Sequence, residues 1–146
     1  MLDTLETLAL AAGKAILDVY SAGPNVTLKA DSSPVTEADE RAEAIIVARL
    51  RELAPGIAVV AEEAVAAGAD LVCPPRFFLV DPLDGTREFI ARNGEFTVNI
   101  GLIENGAPIA GAVYAPALQR IWFGGASAQA AGVGDDGRLP EVCERL

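Results

Sequence analysis

Two apolar runs in this sequence each deliver acids at their far end. Residues 57–61 lead into Glu62-Glu63, and residues 77–80 lead into Asp81-Pro82-Leu83-Asp84-Gly85-Thr86. If both runs are buried strands lying side by side, Glu62 and Asp81 meet at one edge of a sheet. A Pro-Leu turn would then aim Asp84 and the Leu83 carbonyl at the same spot. Carboxylates that close cannot all remain ionised without a cation, because mutual repulsion raises their pKa values. An all-oxygen cluster suits a hard divalent ion, magnesium first, manganese second and calcium less readily.

Gly85-Thr86 opens what reads as a short helix over Thr86–Ala91. With no side chain at Gly85, an oxyanion can approach backbone N–H groups at that helix start. The Thr86 hydroxyl and the Asp39 carboxylate could then orient and deprotonate an attacking water, with a metal lowering the pKa of that water. The chain has no histidine. Ser-His-Asp, Cys-His and His-metal chemistries are therefore excluded.

Each feature also has a plainer reading. Asp84-Gly85 is an ordinary turn pair, and Asp84 could simply cap the next helix. Thr36 with Asp39 fits a capping box, and Glu62-Glu63 fits a solvated strand end. Arg87 and Glu88 fit an exposed helix pair, with Arg87 beside a phosphate as the alternative. Trp122 reads as core or sheet surface, and Cys73 and Cys143 as free thiols. Taken together, these readings leave unexplained why every acid cluster sits at the end of an element.

The elements that must position these groups follow from the hydrophobic pattern. Leu2, Leu5, Leu8, Ala9, Ala12, Ile16 and Val19 recur at helical spacing, with Asp3 and Glu6 placed like a capping pair. Ser21-Ala22-Gly23-Pro24 stops that helix. Residues 25–29 suggest a short strand and Asp31-Ser32-Ser33-Pro34 a polar loop. A second helix, N-capped by Thr36, runs to about Leu53 and buries Ala38, Ala42, Ile45, Ile46, the stem of Arg49 and Leu50 or Leu53. Residues 64–75 read as a short helix or an irregular connection. Phe96, Val98, Ile100 and Leu102 alternate with Thr97, Asn99 and Gly101, the period of a strand. Asn105-Gly106 marks a hairpin, residues 109–114 return, and 120–123 make a further strand. Beyond Gly124 the pattern weakens. Two helices followed by a meander predict an α+β domain with helices on one face of a largely antiparallel sheet.

The chain has 146 residues, enough for one domain with a core. With 51% hydrophobic and 22% charged residues it reads as globular. A net charge of −10 argues against a nucleic-acid groove, which would carry a basic patch. The same charge would repel a phosphate ester unless bound metal stood between. The N-terminal stretch, interrupted by Asp3, Glu6, Lys14 and Asp18, fits neither a signal peptide nor a membrane span. The expected location is the cytoplasm.

Asp81-Pro82-Leu83-Asp84-Gly85-Thr86 resembles the signature of the inositol monophosphatase superfamily. Val35-Thr36-Glu37-Ala38-Asp39 and Ala61-Glu62-Glu63 resemble its two upstream motifs, in the right order. The continuation through 87–100, with Gly111-Ala112-Val113-Tyr114-Ala115-Pro116, resembles the CysQ branch, the 3'(2'),5'-bisphosphate nucleotidases. The resemblance implies that Glu62, Asp81 and the Leu83 carbonyl hold one magnesium, and that Asp81 and Asp84 hold a second. It implies that Asp39 and Thr86 activate the water and that the Gly85 and Thr86 amides bind phosphate, with Arg87 where the branch usually carries lysine. The implied reaction is magnesium-dependent hydrolysis of adenosine 3',5'-bisphosphate to AMP and phosphate in sulfur assimilation, inhibited by lithium. An inositol-phosphate or related sugar-phosphate phosphatase is the alternative within the superfamily. The implied fold is the N-terminal layer of the inositol monophosphatase-like (sugar phosphatase) fold. Family members continue into a C-terminal α/β domain with a Trp-Asp motif and most of the nucleoside pocket, and nothing like it occurs here. Residues 1–132 are thus expected to form the N-terminal metal-binding domain and 133–146 an atypical tail. The sheet is expected to expose an apolar face that favours self-association. On that view a catalytically impaired, truncated remnant, acting as a metal-binding interaction domain, is the third reading.

Overall fold

The structure is a computed structural model that describes the chain except for Pro24, Ser32, Ser33 and the side chain of Pro34. Two long helices, α1 (Leu2–Ala22) and α2 (Glu37–Leu53), pack on each other and on one face of a seven-stranded sheet. The sheet runs β3 (Ala58–Ala61), β4 (Arg76–Asp84), β5 (Thr97–Glu104), β6 (Ala107–Ala115), β7 (Arg120–Gly124), β8 (Ala128–Gly132) and β9 (Glu144–Arg145) in spatial order. Among the described residues only the β3–β4 pair is parallel; the rest of the sheet is an antiparallel meander, as the sequence pattern predicts. Two shorter strands, β1 (Val26–Leu28) and β2 (Pro34–Thr36), form a separate antiparallel pair leading into α2. The helices α3 (Glu62–Ala66) and α4 (Thr86–Ala91) follow β3 and β4.

The core is the meeting of two apolar stripes with one sheet face. Leu5, Leu8, Ala9, Ala12, Ile16 and Val19 of α1 and Ala38, Ala42, Ile46 and Leu50 of α2 are buried. They lie against Phe78, Val80, Val98, Ile100, Leu102 and Ile121. Helix α1 approaches the sheet so closely at Gly13 that a Cβ there would stand 2.2 Å from the Tyr114 ring. Fully burying each larger aliphatic side chain contributes about 1.5–3 kcal/mol, so these stripes supply the main driving force.

Several local expectations are corrected. Asp3 and Glu6 do not cap α1; Met1 holds the N-cap position with no side-chain bond, and Asp3 lies one residue inside the helix. Ile45 is exposed, as is Arg49, which pairs with Glu52 at 2.6 Å, and of Leu50 and Leu53 it is Leu50 that is buried. Residues 45, 49 and 53 form a neighbouring row of the helix, 45 and 49 each rotated about 100° from the buried 46 and 50. The end of the Ser21–Pro24 stop and the centre of the Asp31–Pro34 loop lie outside the described residues. Strand β4 does not stop at Val80 but continues through Asp84, and Glu62-Glu63 open α3 rather than end a strand in solvent. The pattern past Gly124 hides β8 and β9. Ala128–Gly132 has little β propensity of its own and is held by pairing with β7, while Ala130, Ala131 and Val133 bury in the core. From within 133–146, β9 pairs with β8, and Glu144 pairs with Arg120 of β7.

The opposite face of the sheet carries Leu79, Ile109 and Val113, which are 47%, 38% and 39% exposed, beside Trp122.

Candidate metal and phosphate site

The parallel register sets two of the acids side by side. Ala61 is opposite Val80, so the chain leaves β3 at Glu62 and passes Asp81 on β4 at the same level. Asp81 and Asp84 are three residues apart, and in a regular strand they would point to opposite faces. Here Asp81 is opposite Asn99 and Asp84 opposite Thr97, three steps on β4 against two on β5. That extra residue is a bulge, and it returns both carboxylates to one face. The Thr97 hydroxyl and Asn99 Oδ1 lie 3.2 Å apart, and Asn99 Nδ2 donates to Asp84 Oδ2 at 3.3 Å. Pro82 has no N–H to lose at such an irregularity. The expected Pro-Leu turn is therefore a bulge, which sets Asp81 and Asp84 on one face. Leu83 turns its side chain into the core, 1% exposed, while its carbonyl stays at the site, 3.2 Å from Thr86 Oγ1.

Asp84 does not cap α4. Gly85 takes the N-cap position in the left-handed region, φ 91°, with no side-chain cap. A Cβ on Gly85 would stand 2.8 Å from the Glu95 carbonyl, so both the backbone conformation and the space call for glycine. Helix α4 is seated by Phe89, whose ring lies 5.1 Å from those of Tyr20 and Phe96. Arg92, at its end, lies over the Tyr20 ring at 4.3 Å and donates to the Tyr20 carbonyl at 2.8 Å.

Asp39 closes the capping box and also reaches Thr86. Its Oδ2 accepts from Thr36 N at 2.8 Å and from Thr36 Oγ1 at 2.6 Å, completing the capping box of α2. Its Oδ1 lies 2.8 Å from Thr86 Oγ1. The carboxylate is fully buried, and those bonds join the start of α2 to the start of α4.

Asp81 carries the clearest electrostatic strain. Burial is the largest cause, followed by the hydrogen bond and charge of Glu62 and the charge of Asp84; together they push its pKa up to about 8. Its Oδ1 is buried with no hydrogen-bond partner among the described residues. A buried acceptor without a donor is costly, and a cation is one way to satisfy it.

Lys29 partly answers this charge. Its ammonium is 2.9 Å from Glu62 and 2.8 Å from Glu63. Burial pulls the lysine pKa down, but the hydrogen bonds to Glu63 and Glu62 outweigh it and the net shift is upward. Lys29, Glu62, Asp84, Gly85, Thr86 and Arg87, with Glu88, line one hollow of about 270 Å³.

The structure thus brings together Asp39 with Thr86 and the Leu83 carbonyl, and Asp81 with Glu62 and Asp84, while Gly85 and exposed Arg87 border the same hollow. Sequence reasoning missed Lys29, Glu43 and Asn99. Glu43 had a signal, its place one helical turn after Asp39; Asn99 alternates with Thr97; Lys29 had none beyond its charge. Among the described residues, no three acid, cysteine or histidine side chains converge closely enough to enclose an ion. The site is open, with Glu62 drawn toward Lys29. Its donors still fit a hard cation: all are oxygens, and one is a buried carboxylate atom lacking a partner.

Fold and site together define an α+β domain that gathers oxygen donors and a Thr–Asp pair at one edge of its sheet. The chain belongs to the inositol monophosphatase family, whose family model matches residues 1–139. The 3'(2'),5'-bisphosphate nucleotidase CysQ of Shigella flexneri is 51% identical over 124 residues, covering 84% of this chain and 50% of that protein. The crystal structure of CysQ from Bacteroides thetaiotaomicron, a bacterial member of the inositol monophosphatase family, matches with a TM-score of 0.74 at 37% identity. It covers 99% of this chain and 56% of that one. The extragenic suppressor protein suhB from Bartonella henselae matches with a TM-score of 0.77 at 25% identity, over 99% of this chain and 52% of that one. The chain spans about half the length of the relatives it matches. Among the described residues, no helix is long and apolar enough to cross a membrane.

Proposed function

We propose that this chain carries the metal-holding and water-orienting half of a magnesium-dependent phosphomonoesterase whose substrate is a nucleotide of the adenosine 3',5'-bisphosphate type. The observation that carries the reading is the unpartnered buried oxygen of Asp81, flanked by Glu62 and Asp84, beside the Thr86–Asp39 pair. Glu62, Asp81 and the Leu83 carbonyl would hold one magnesium, and Asp81 with Asp84 a second. Bound magnesium would neutralise phosphoryl charge and lower the pKa of a bound water. Lithium would compete for these oxygens and inhibit.

The chain's own residues do the rest. Thr86 Oγ1 donates its proton toward Asp39 Oδ1, which leaves its lone pairs turned outward to accept from a water and orient it. Asp39, buried and held by Thr36, can take up the proton that passes through Thr86 without moving. The Gly85 and Thr86 amides and the Arg87 guanidinium would bind the phosphate at the hollow these residues line with Lys29. The preference for a nucleotide rests on likeness to CysQ, at 51% identity, over likeness to the suhB structure, at 25%. We place the reaction in the cytoplasm, in keeping with two free thiols, Cys73 and Cys143. The exposed Leu79, Ile109 and Val113 face would favour self-association of the chain as it stands.

A second reading, a metal-binding domain without turnover, is favoured by the open donor set and the Lys29–Glu62 pair. One assay separates the two. The purified chain is incubated with magnesium and either adenosine 3',5'-bisphosphate or inositol monophosphate, with Asp81→Asn as control. Phosphate release from the nucleotide supports the first reading. Release mainly from the inositol ester overturns the substrate class, and magnesium binding without release from either supports the second.

A further inference from the structure

Helix α3 starts at Glu62 with no cap of its own. Ala61 stands at its N-cap without a side-chain acceptor, and the first turn carries two acids, Glu62 and Glu63. Five residues make too short a helix to hold itself in water. The amides of its second and third residues, which an N-cap side chain would ordinarily satisfy, are taken up from a different element. Glu63 N donates to Glu43 Oε2 at 2.7 Å, and Ala64 N donates to Glu43 Oε1 at 2.9 Å. One carboxylate from the middle of α2 uses both oxygens on two consecutive amides of α3. Such charge-assisted bonds are roughly twice as strong as neutral ones.

Glu43 stands four residues after Asp39, one turn along the same face of α2. That face presents two carboxylates with separate tasks: Asp39 reaches Thr86, and Glu43 reaches the backbone directly after Glu62. The Lys29 ammonium grips the Glu62 and Glu63 carboxylates, while Glu43 holds the backbone that bears them. With that backbone fixed, the Glu62 side chain has one starting point from which to reach Asp81.

We propose that Glu43 is a positioning residue for the metal centre, holding the 63 and 64 amides so that Glu62 stands beside Asp81. The inference rests on the reading above, that Glu62 and Asp81 share magnesium. Glu43 itself need touch neither metal nor substrate.

The test compares wild type, Glu43→Ala, Glu43→Gln and Asp81→Asn. Three readouts are taken: binding of manganese alone, followed by the spin signal of the free ion; magnesium dependence of phosphate release; and hydrogen exchange at residues 62–66. Removing partners that orient metal ligands typically weakens metal binding about 10–100-fold. Glu43→Ala should raise half-saturating manganese at least about tenfold. Its apparent magnesium constant should rise more than its turnover at saturating metal falls. Glu43→Gln keeps one acceptor and sets an amide group against an N–H, so it should fall between; it carries the comparison if the alanine variant does not fold. Wild-type manganese affinity in both variants, with exchange protection at 62–66 lost, would show a helix cap and nothing more, and would overturn the inference. Indistinguishable titrations of wild type and Asp81→Asn would instead remove the metal reading on which it stands.

Discussion

Thr86 Oγ1 stands 2.8 Å from Asp39 Oδ1, a contact between residues 47 positions apart in the chain. Each residue also has a local role, Thr86 in the first turn of α4 and Asp39 in the capping box of α2. Because the proton acceptor is fixed by its own helix cap, the pair is pre-organised before any substrate arrives.

Asp39→Asn keeps the shape and an oxygen toward Thr36 but removes the proton acceptor. Phosphate release should fall about 10²–10⁴-fold, the usual contribution of a positioned acid or base, while manganese binding stays near wild type. Thr86→Ala should behave alike, and Thr86→Ser should recover most of the activity. Steady-state kinetics with a parallel metal titration decide it; an Asp39→Asn enzyme with near-normal turnover would exclude this pair from catalysis.

Asp81 gives the metal-free protein a pH dependence whose sign is fixed. Its folded pKa of about 8 lies above the ordinary aspartate value of 3.8, so between the two the folded state holds a proton that the unfolded state has released. The stability contributed by neutral Asp81 is complete below the lower value and drains away as pH rises through the upper one. In metal-free buffer, thermal midpoints should therefore fall between about pH 5 and about pH 8.5 more steeply for wild type than for Asp81→Asn. Magnesium bound at Asp81 would displace that proton, so affinity should strengthen by up to about tenfold per pH unit across the same window. Parallel melting curves for the two proteins would contradict the assignment.

The stripes of α1 and α2, the alternation of β5 and the Asn105-Gly106 turn were legible because each is a local pattern read at one period. Asn105 and Gly106 both take positive φ, 50° and 80°, as such a hairpin demands. The acids were legible as a cluster because two strand ends carried them. The means of gathering them was not. The bulge at 81–84 depends on registration against Asn99 and Thr97 some fifteen residues later, which no window over β4 contains. Strand β8 was hidden for a similar reason: its alanines and glycine are strand residues only because β7 offers a free edge, and β9 pairs in turn with β8. Lys29 and Glu43 join the site through tertiary contact alone.

Gly85 should not tolerate a side chain. The left-handed backbone alone costs a non-glycine residue of order 1–3 kcal/mol, and a Cβ would also meet the Glu95 carbonyl at 2.8 Å. Gly85→Ala should therefore lower unfolding free energy by at least about 1 kcal/mol in urea titrations. It should also shift Thr86 and reduce activity beyond the stability loss. Gly132→Ala, where nothing lies within 4 Å of the added carbon, serves as the control and should be close to neutral.

If Glu62 holds magnesium as proposed, Lys29 competes with the ion for the same carboxylate. The ammonium sits 2.9 Å from the Glu62 carboxylate, yet Glu62 is 44% exposed, so solvent screens the pair and it contributes little to folding. Its bond to Glu63, with both side chains 10% exposed, is better sheltered. Lys29→Met removes both while keeping the stem. Two opposing effects follow. The site loses its internal cation and gains net negative charge, which favours magnesium, so half-saturating magnesium should fall severalfold. The hollow also loses one of the two cations that border it, which disfavours an anionic substrate, so KM should rise severalfold at saturating metal. Lys29→Arg retains the charge, and its fork can bridge Glu62 and Glu63 as lysine does, so it should bring both the KM and the metal constant back toward wild type. Measuring both constants in the same variants is decisive. If magnesium affinity drops in Lys29→Met, the lysine supports the metal site rather than competing with it, and the Glu62–Lys29 pair belongs to the working geometry.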